Sequence, residues 1–180
     1  MSYSHKAWIT LDSKIKFKNK HFRVIEDKVF LSSHKIINFT YISRPPGVII
    51  VPIIDNDKVV LVEQYRYILK ESCWEFPAGA VRTAEAPLNA AKRELEEETG
   101  YQAADFKLIN NFFTSNGTTD EVVYLYFATN LSSGVQRLDT TESDMVLKVF
   151  DISDCLGMVA SGEITCMQTI LALFYLRHYY

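Results

Sequence analysis

Four glutamates within five residues are the first feature of this sequence that could support chemistry. The stretch "ELEEE" holds Glu94, Glu96, Glu97 and Glu98. In an α-helix, residues three and four positions apart are neighbours, so Glu94, Glu97 and Glu98 would share one face. Like charges at this spacing destabilise a helix by roughly 0.2–0.5 kcal/mol per pair. The pattern therefore predicts either a solvated acidic face or a site for a cation.

The type of side chain indicates which cation would bind. Carboxylate oxygens are hard donors, which suit Mg²⁺ or Mn²⁺ with several waters retained. For an isolated acidic run, a solvated helix face is the commoner explanation. The surrounding sequence has to decide between the two.

The acidic run lies in the clearest helix signal of the chain. Pro87 suits the first turn, and Gly100 is placed to end the helix. Leu88, Ala91 and Leu95 recur at helical spacing and are expected to pack on a sheet.

A longer pattern around this helix resembles the signature of the Nudix hydrolases. It has seven fixed residues, all present at the right spacing: Gly79, Glu85, Arg93, Glu94, Glu97, Glu98 and Gly100. Only the last position departs slightly, with Tyr101 where an aliphatic residue is commoner. Seven specified residues over this span are a far more specific signal than a lone acidic helix.

The resemblance implies a role for each of these positions. Glu94, Glu97 and Glu98 would bind the metal, with Glu85 assisting and a main-chain carbonyl near Ala78 as a further ligand. Arg93 would orient the glutamates through charge-assisted hydrogen bonds, so Arg93 and Glu97 count as catalytic candidates. Gly79 would allow a sharp entry into the loop before the helix, close to the substrate.

The family's common reaction is hydrolysis of a nucleoside diphosphate linked to another group. Divalent ions neutralise the diphosphate and activate water, and a carboxylate accepts the proton. In similar relatives this base comes from a late loop, here "RLDTTESDM". Glu142 is the first candidate and Asp144 the second. The alternative is that both are solvated loop acids.

Four further stretches, "VVLVEQYRY", "WEFPAGAV", "FTSNGTTDE" and "VASGEITCMQTILAL", resemble the ADP-ribose and nucleoside-diphosphate-sugar pyrophosphatases. The resemblance implies that Arg66 grips the substrate phosphates, with an ordinary salt bridge as the alternative. It places Glu121 near the terminal sugar. Asn116 stands where this branch usually has proline, which leaves the sugar open.

ADP-ribose, cleaved to AMP and ribose 5-phosphate, is therefore the first expected substrate. GDP-mannose or another nucleotide sugar is the alternative. A non-catalytic module that binds nucleotide sugars is a third possibility. Such modules tend to lose glutamates of the signature, and all of them are present here.

Composition limits the other partners. The chain has 180 residues and a formal net charge of -3, so we expect no nucleic acid partner. It has no apolar run long enough to cross a bilayer, and its N-terminus does not resemble a signal peptide. Three widely spaced cysteines fit reduced thiols. We expect a cytoplasmic protein without a membrane partner.

The order of elements predicts an α+β protein, and the resemblance specifies a Nudix-type α/β/α sandwich. Strand-like segments in residues 1–44 predict an N-terminal antiparallel β subdomain, followed by a Nudix hydrolase domain over residues 45–180. In similar relatives this subdomain is exchanged in a homodimer and contributes to the base pocket. Four aromatic residues could stack on the base, although we expect each in the core: Trp8, Phe17, Phe22 and Phe39.

Overall fold

The computed structural model describes residues 8–179. The chain forms two compact units, which are described separately. The first contains residues 8–45 together with 113–122, and the second contains residues 46–112 and 123–179. The split after Pro45 lies beside the predicted boundary at residue 44. The function of each part as a separate domain remains a prediction.

The first unit is built on an antiparallel sheet of three strands within the described residues. These are β1 (Ile9–Lys18), β2 (Arg23–Phe30) and β3 (Ile36–Ser43), with β2 in the centre. Ile25 and Val29 of β2 are buried because alternating residues of a strand point to the same face. The predicted N-terminal antiparallel sheet is confirmed.

The expectation that the aromatic residues of this sheet lie in the core is wrong for three of them. Trp8, Phe17 and Phe39 are exposed, and Phe22 is partly buried. The register of β2 and β3 places Phe39 on the same face as Ile25 and Val29, whereas Phe17 is paired with Val24 on the other face, so neither face is fully covered within this unit. These four side chains contact each other in two pairs, Trp8 edge-to-face with Phe39 and Phe17 at a tilt to Phe22.

The second unit contains the other strands and the helices of the described chain. The strands are β4 (Gly47–Ile54), β5 (Lys58–Arg66), β6 (Glu71–Glu75), β7 (Ala78–Ala80), β8 (Tyr101–Phe113), β9 (Val122–Ser133) and β10 (Val146–Asp151). The helices are α1 (Pro87–Thr99), α2 (Ile152–Ser161) and α3 (Met167–Tyr179). The strand order is β10-β5-β4-β9-β8, with β6 beside β5 and β7 beside β4. The β4–β9 pair is parallel.

The central strand β4 shows why helices cover both faces of this sheet. Its sequence is almost entirely apolar, as expected for a strand that is buried on both sides. Ile49, Val51 and Ile53 pack into a cluster with residues of α2 and α3. Val48 and Ile50 point the other way, into a cluster that includes Ala90, Ala91 and Leu95 of α1. The predicted α+β fold and the sandwich are therefore confirmed.

Helix α1 begins and ends where the sequence indicates. Pro87 occupies its first turn, and Gly100 ends it with φ 72°, a left-handed conformation that glycine adopts without strain. The predicted apolar stripe needs one correction. Leu88 is exposed, and Ala90 instead joins Ala91 and Leu95 in the core, because the buried side of the helix is rotated from the predicted one.

Helix α3 begins at Met167, after a short irregular stretch that follows α2. Gly162 and Glu163 lie in a turn and a bend, and residues 164–166 have no regular secondary structure. The amides of Glu163 and Ile164 both donate to the carbonyl of Met158, which holds these residues against the end of α2. Within residues 8–179, no helix combines the length and apolar character that a membrane crossing requires.

Candidate active site

Arg93 is the common partner of three acidic residues of the signature. Its Nη1 lies 2.6 Å from Oε1 of Glu94 and 2.9 Å from Oε2 of Glu97, one turn further along α1. Its Nε and Nη2 each lie 3.0 Å from an oxygen of Glu85, and Nη2 also donates to the carbonyl of Ala80. A planar guanidinium with five donors can serve all these acceptors together. The predicted crowding of negative charge is thus relieved within the chain.

Glu85 precedes the helix and is held from two directions. Besides Arg93, the backbone N–H of Arg82 donates to its Oε2. The hydrogen bonds from Arg93 are the main cause that lowers the pKa of Glu85. Arg82 also extends its guanidinium to within 3.5 Å of Glu97. Glu85 is therefore a fixed carboxylate at the entrance to the helix.

Glu94 is buried against Gly79, which has no side chain to obstruct it. A Cβ built on Gly79 would lie 2.1 Å from the carboxylate carbon of Glu94. Gly79 itself is not in the left-handed region. The structure thus shows a need for space beside Glu94 at this position, and the sharp chain entry at Gly79 stays a prediction. Burial raises the pKa of Glu94, and the charges of Glu97 and Glu142 add to this, although Arg93 opposes it.

Glu98 is the most deeply buried acid of the signature, with 3% of its surface exposed. The backbone N–H of Ala78 donates to its Oε2 at 3.1 Å. Burial raises the pKa of Glu98 well above its ordinary value, and the charges of Glu94 and Glu142 raise it further. A buried carboxylate with so little compensation would gain from a nearby cation.

Arg66 ends strand β5 and forms a two-pronged ion pair with Glu75 at the end of β6. Its Nε lies 2.7 Å from Oε1 of Glu75 and its Nη2 lies 2.5 Å from Oε2. The strands pair Arg66 with Glu71 and Val62 with Glu75, so the two side chains meet diagonally. Arg66 remains 41% exposed, and its charge lowers the pKa of Glu98. The guanidinium therefore lies beside the acidic cluster with part of its surface free.

Glu142 is the last residue of a short 3₁₀ turn, Thr140–Glu142, between β9 and β10, and Asp144 follows this turn. Glu142 is partly buried, and its charge contributes to the raised pKa values of both Glu94 and Glu98. Asp144 is exposed and is not a cause of either shift. The structure thus brings Glu142 toward the acidic face of α1 and gives no such sign for Asp144.

Glu121 belongs to the first unit. Its Oε1 lies 3.5 Å from Nη1 of Arg44, and its Oε2 accepts a hydrogen bond from the Thr114 hydroxyl at 2.8 Å. Asn116 is exposed on the same segment, and it lines a cavity of about 420 Å³ in this unit. Glu121 is therefore a carboxylate with two polar partners, on the same segment as Asn116.

The acidic cluster suits a hard divalent ion by its chemistry. Its donors are carboxylate oxygens, and Glu98 is buried, with its carboxylate accepting a hydrogen bond from the Ala78 backbone. Within residues 8–179, no three His, Cys, Asp or Glu side chains are arranged to share one ion. The reason is visible in their partners, because Arg93 and the Ala78 amide draw these carboxylates toward themselves.

Sequence reasoning missed two residues of this region. Glu75 is buried and holds Arg66, and Arg82 binds both Glu85 and Glu97. For Glu75 a signal existed, since an acidic residue between Trp74 and Phe76 in a strand needs a partner. For Arg82 the sequence offers no signal, because its contacts depend on the path of the loop before α1.

Comparison with known proteins agrees with this geometry. The family model described as "NUDIX domain" matches residues 43–167. A solved structure described as an ADP compounds hydrolase superposes with a TM-score of 0.87 at 20% identity, covering 99% of this chain and 96% of that one. At this identity the likeness shows the fold alone.

Two relatives are similar over nearly their whole length. The ADP-ribose pyrophosphatase of Bacillus subtilis (strain 168) is 32% identical over 163 residues, which cover 89% of this chain and 88% of the relative. The methanol dehydrogenase activator of Bacillus methanolicus is 31% identical over 169 residues, 93% of this chain and 91% of the relative. The chain therefore belongs to the NUDIX family and is a Nudix hydrolase, a class of enzyme that generally uses divalent metal ions.

Proposed function

We propose that this protein hydrolyses the diphosphate bond of ADP-ribose, giving AMP and ribose 5-phosphate, with Mg²⁺ as its ion and Mn²⁺ as a substitute. Two relatives support this substrate by name. One is the Bacillus subtilis enzyme, and the other is the ADP-ribose pyrophosphatase of Mycobacterium tuberculosis, 32% identical over 157 residues, 86% of this chain and 76% of the relative.

The observation that carries the proposal is the gathering of carboxylates around Arg93, with Glu98 buried beside them. Such a cluster is unfavourable without positive charge. Arg93 and Arg82 bind Glu85, Glu94 and Glu97, whereas the carboxylate of Glu98 accepts its hydrogen bond from the Ala78 backbone. Glu94, Glu97 and Glu98 would hold the ion with the carbonyl near Ala78, and Glu85 would assist. When bound, the ion neutralises diphosphate charge and acidifies water. Binding would require Glu94 and Glu97 to give up part of their contact with Arg93.

The other side chains then act on the substrate and the water. Arg66, held by Glu75, would direct its exposed edge to the diphosphate oxygens. Glu142 would accept a proton from the attacking water while the water oxygen bonds to phosphorus and the bridging P–O bond breaks. A positioned base of this kind contributes roughly 10²–10⁴-fold to the rate. Asp144 is the second candidate for this role.

The identity of the terminal sugar is the less constrained part of the proposal. Glu121 would contact that sugar, and Asn116 on the same segment replaces the proline usual in this branch. GDP-mannose is therefore a second candidate substrate. A GDP-mannose pyrophosphatase of Yersinia pestis (strain Pestoides F) is 31% identical over 129 residues, 65% of this chain and 63% of the relative.

We further propose that the protein is a cytoplasmic homodimer. Support comes from apolar side chains that β1 leaves exposed on the N-terminal sheet, among them Ile9, Leu11, Ile15 and Phe17. A group of large apolar residues on one exposed strand indicates an interaction surface.

A panel of nucleotide sugars, each assayed with Mg²⁺ and with Mn²⁺, tests the function. ADP-ribose should give the highest kcat/KM, with AMP and ribose 5-phosphate as the products. A higher value for GDP-mannose would replace ADP-ribose as the substrate. Binding of nucleotide sugars without turnover of any of them would contradict an enzyme and support a non-catalytic module.

A further inference from the structure

The segment that follows β9 is fastened to the end of the signature helix. The side-chain amide of Gln136 donates to the carbonyl of Glu98 at 2.6 Å. The backbone N–H of Arg137 donates to the carbonyl of Glu97 at 2.8 Å, and its guanidinium lies 3.6 Å from the Glu96 carboxylate. The last carbonyls of a helix have no partner within it, so these donors satisfy groups that the helix leaves free.

Two glycines make the close approach possible. A Cβ on Gly134 would lie 2.7 Å from the carbonyl oxygen of Gly100, and a Cβ on Gly100 would lie 2.8 Å from the backbone nitrogen of Gln136. Both contacts are with backbone, which cannot move aside as a flexible side chain would. Gly100 of the signature therefore serves a second purpose here, beyond ending α1. We call residues 134–137 the docking segment.

The docking segment leads directly to Glu142. Beyond Arg137, Asp139 and Glu142 form a capping box around the 3₁₀ turn. The Asp139 side chain accepts from the Glu142 backbone N–H, and the Asp139 backbone N–H donates to the Glu142 carboxylate. On the far side, Met145 is buried, and its amide donates to the Glu142 carbonyl. Glu142 thus stands on a short span fixed at one end by the docking segment and at the other by Met145. The docking bonds are made to the carbonyls of Glu97 and Glu98, the same residues whose side chains belong to the acidic cluster.

We propose that Gln136 is a positioning residue, whose hydrogen bond to the Glu98 carbonyl sets the place of Glu142 relative to the acidic face of α1. Gln136 is partly buried and its amide makes a short side-chain bond to the helix end, whereas the other side-chain link, from Arg137 to Glu96, is longer and exposed. Without the donor, the span before Glu142 keeps the contacts of Arg137 with α1 but is held less firmly, while its other end stays in the core. The role assigned to Glu142 rests on the proposed function.

A series of substitutions at Gln136 distinguishes the effect of losing the hydrogen-bond donor from the effect of changing the shape of the side chain. Gln136→Met keeps the length and loses the donor, and Gln136→Glu keeps the outline but places negative charge beside a carbonyl. Gln136→Lys keeps a long chain with a donor at a helix C-terminus, where positive charge is favourable. Gln102→Met, at an exposed position on β8, is the matched control.

We expect kcat for ADP-ribose to fall roughly threefold to tenfold in Gln136→Met and Gln136→Glu, the range for one lost hydrogen bond. KM should change little, and Gln136→Lys and Gln102→Met should stay close to the wild-type protein. An unchanged kcat in Gln136→Met would overturn the proposal. So would a loss in Gln136→Lys as large as that in Gln136→Met, because the donor would then not be the cause.

Hydrogen exchange measured by mass spectrometry gives a result that does not depend on activity. In Gln136→Met, exchange should become faster through residues 138–145, which include Glu142. Exchange in the peptides of α1 should be unchanged. Faster exchange confined to residues 136–137, or none at all, would overturn the proposal. If the wild-type protein hydrolyses no nucleotide sugar, the proposed function fails, and the exchange result alone decides whether Gln136 positions Glu142.

Discussion

At the scale of single residues, the site is organised by one arginine and two glycines. Arg93 binds three of the signature carboxylates, Gly79 leaves room for Glu94, and Gly100 leaves room for the docking segment. The residue types could be predicted, because their spacing matches a known signature. The reason for Gly79 could not, since the contact with Glu94 exists only once β7 lies against α1.

Glu98→Gln should abolish turnover while the fold is retained. The amide has nearly the shape of the carboxylate but no charge with which to hold a divalent ion. We expect kcat to fall by about 10²-fold or more, in the range of losses for an essential electrostatic group. Steady-state kinetics with ADP-ribose measures this.

The control for that variant is Glu96→Gln, which makes the same charge change on the same helix. Glu96 is paired with Arg137 rather than with Arg93. Activity near the wild-type level in Glu98→Gln, or an equal loss in Glu96→Gln, would refute the assignment of Glu98.

Glu98→Gln should also differ from the wild-type protein in how its stability depends on pH. The folded protein raises the pKa of Glu98 above its ordinary value of 4.5, so the folded state binds its proton more tightly than the unfolded state. The charged side chain therefore lowers the free energy of unfolding at pH above both values, and this loss shrinks as the pH falls from the raised pKa to 4.5 and is absent below it. Without metal, Glu98→Gln should melt at a higher temperature than the wild-type protein at neutral pH.

Thermal unfolding in EDTA at several pH values tests this sign. The advantage of Glu98→Gln should shrink towards pH 4.5. A wild-type protein that melts at the higher temperature at neutral pH would mean that the ionised carboxylate stabilises the fold.

Gly79→Ala should reduce turnover with only a small loss of stability. The new Cβ would meet the end of the Glu94 side chain, which can rotate away, so the carboxylate moves and the backbone need not. We expect a clear fall in kcat with a melting temperature within a few degrees of the wild-type value. Gly157→Ala is the control, because a Cβ on Gly157 of α2 meets nothing within 4 Å. Full activity in Gly79→Ala would show that the close fit to Glu94 is not needed.

At the scale of elements, helix α1 was predictable and the segment after β9 was not. Pro87 and Gly100 set the start and the end of α1 through their own backbone geometry, which does not depend on the rest of the fold. The apolar stripe was less certain, and Leu88 proved exposed because the sheet decides which side of the helix is covered. The polar stretch 132–144 gives no periodic signal at all, so its attachment to the helix end appears only in three dimensions.

Glu142→Gln should lower kcat by about 10²–10⁴-fold, the usual contribution of a positioned base, with KM little changed. The reason is that glutamine cannot accept the proton of the attacking water. Asp144→Asn is the matched control, since Asp144 is exposed and two residues away. If Asp144→Asn were the slower variant, the base would be Asp144. Unchanged turnover in both would return this role to the acidic face of α1.

At the scale of the whole molecule, the sequence predicted the fold class and the N-terminal sheet, but not which faces are covered. Strands and helices follow from local alternation and periodicity. The exposed aromatic residues of the first unit could not be distinguished from core residues, because their pattern is the same whether a face is buried within the chain or by a partner.

The proposed homodimer should be lost when charge is placed on β1. Ile15 and Phe17 are exposed apolar residues two positions apart. The double variant Ile15→Asp and Phe17→Asp should sediment as a monomer, while the wild-type protein sediments as a dimer. Ser13→Asp adds a charge at an exposed polar position of the same strand and should remain dimeric. A monomeric wild-type protein would contradict the proposal, and circular dichroism checks that the variants stay folded.

The account depends most on a divalent ion bound by the acidic face of α1. Crystals grown with Mn²⁺ and a non-hydrolysable analogue of ADP-ribose should show anomalous density in contact with Glu94, Glu97 and Glu98 and with the diphosphate. Anomalous density only at another place would contradict the account. So would a bound diphosphate with no ion between it and the carboxylates, and with Arg93 still bound to Glu94 and Glu97.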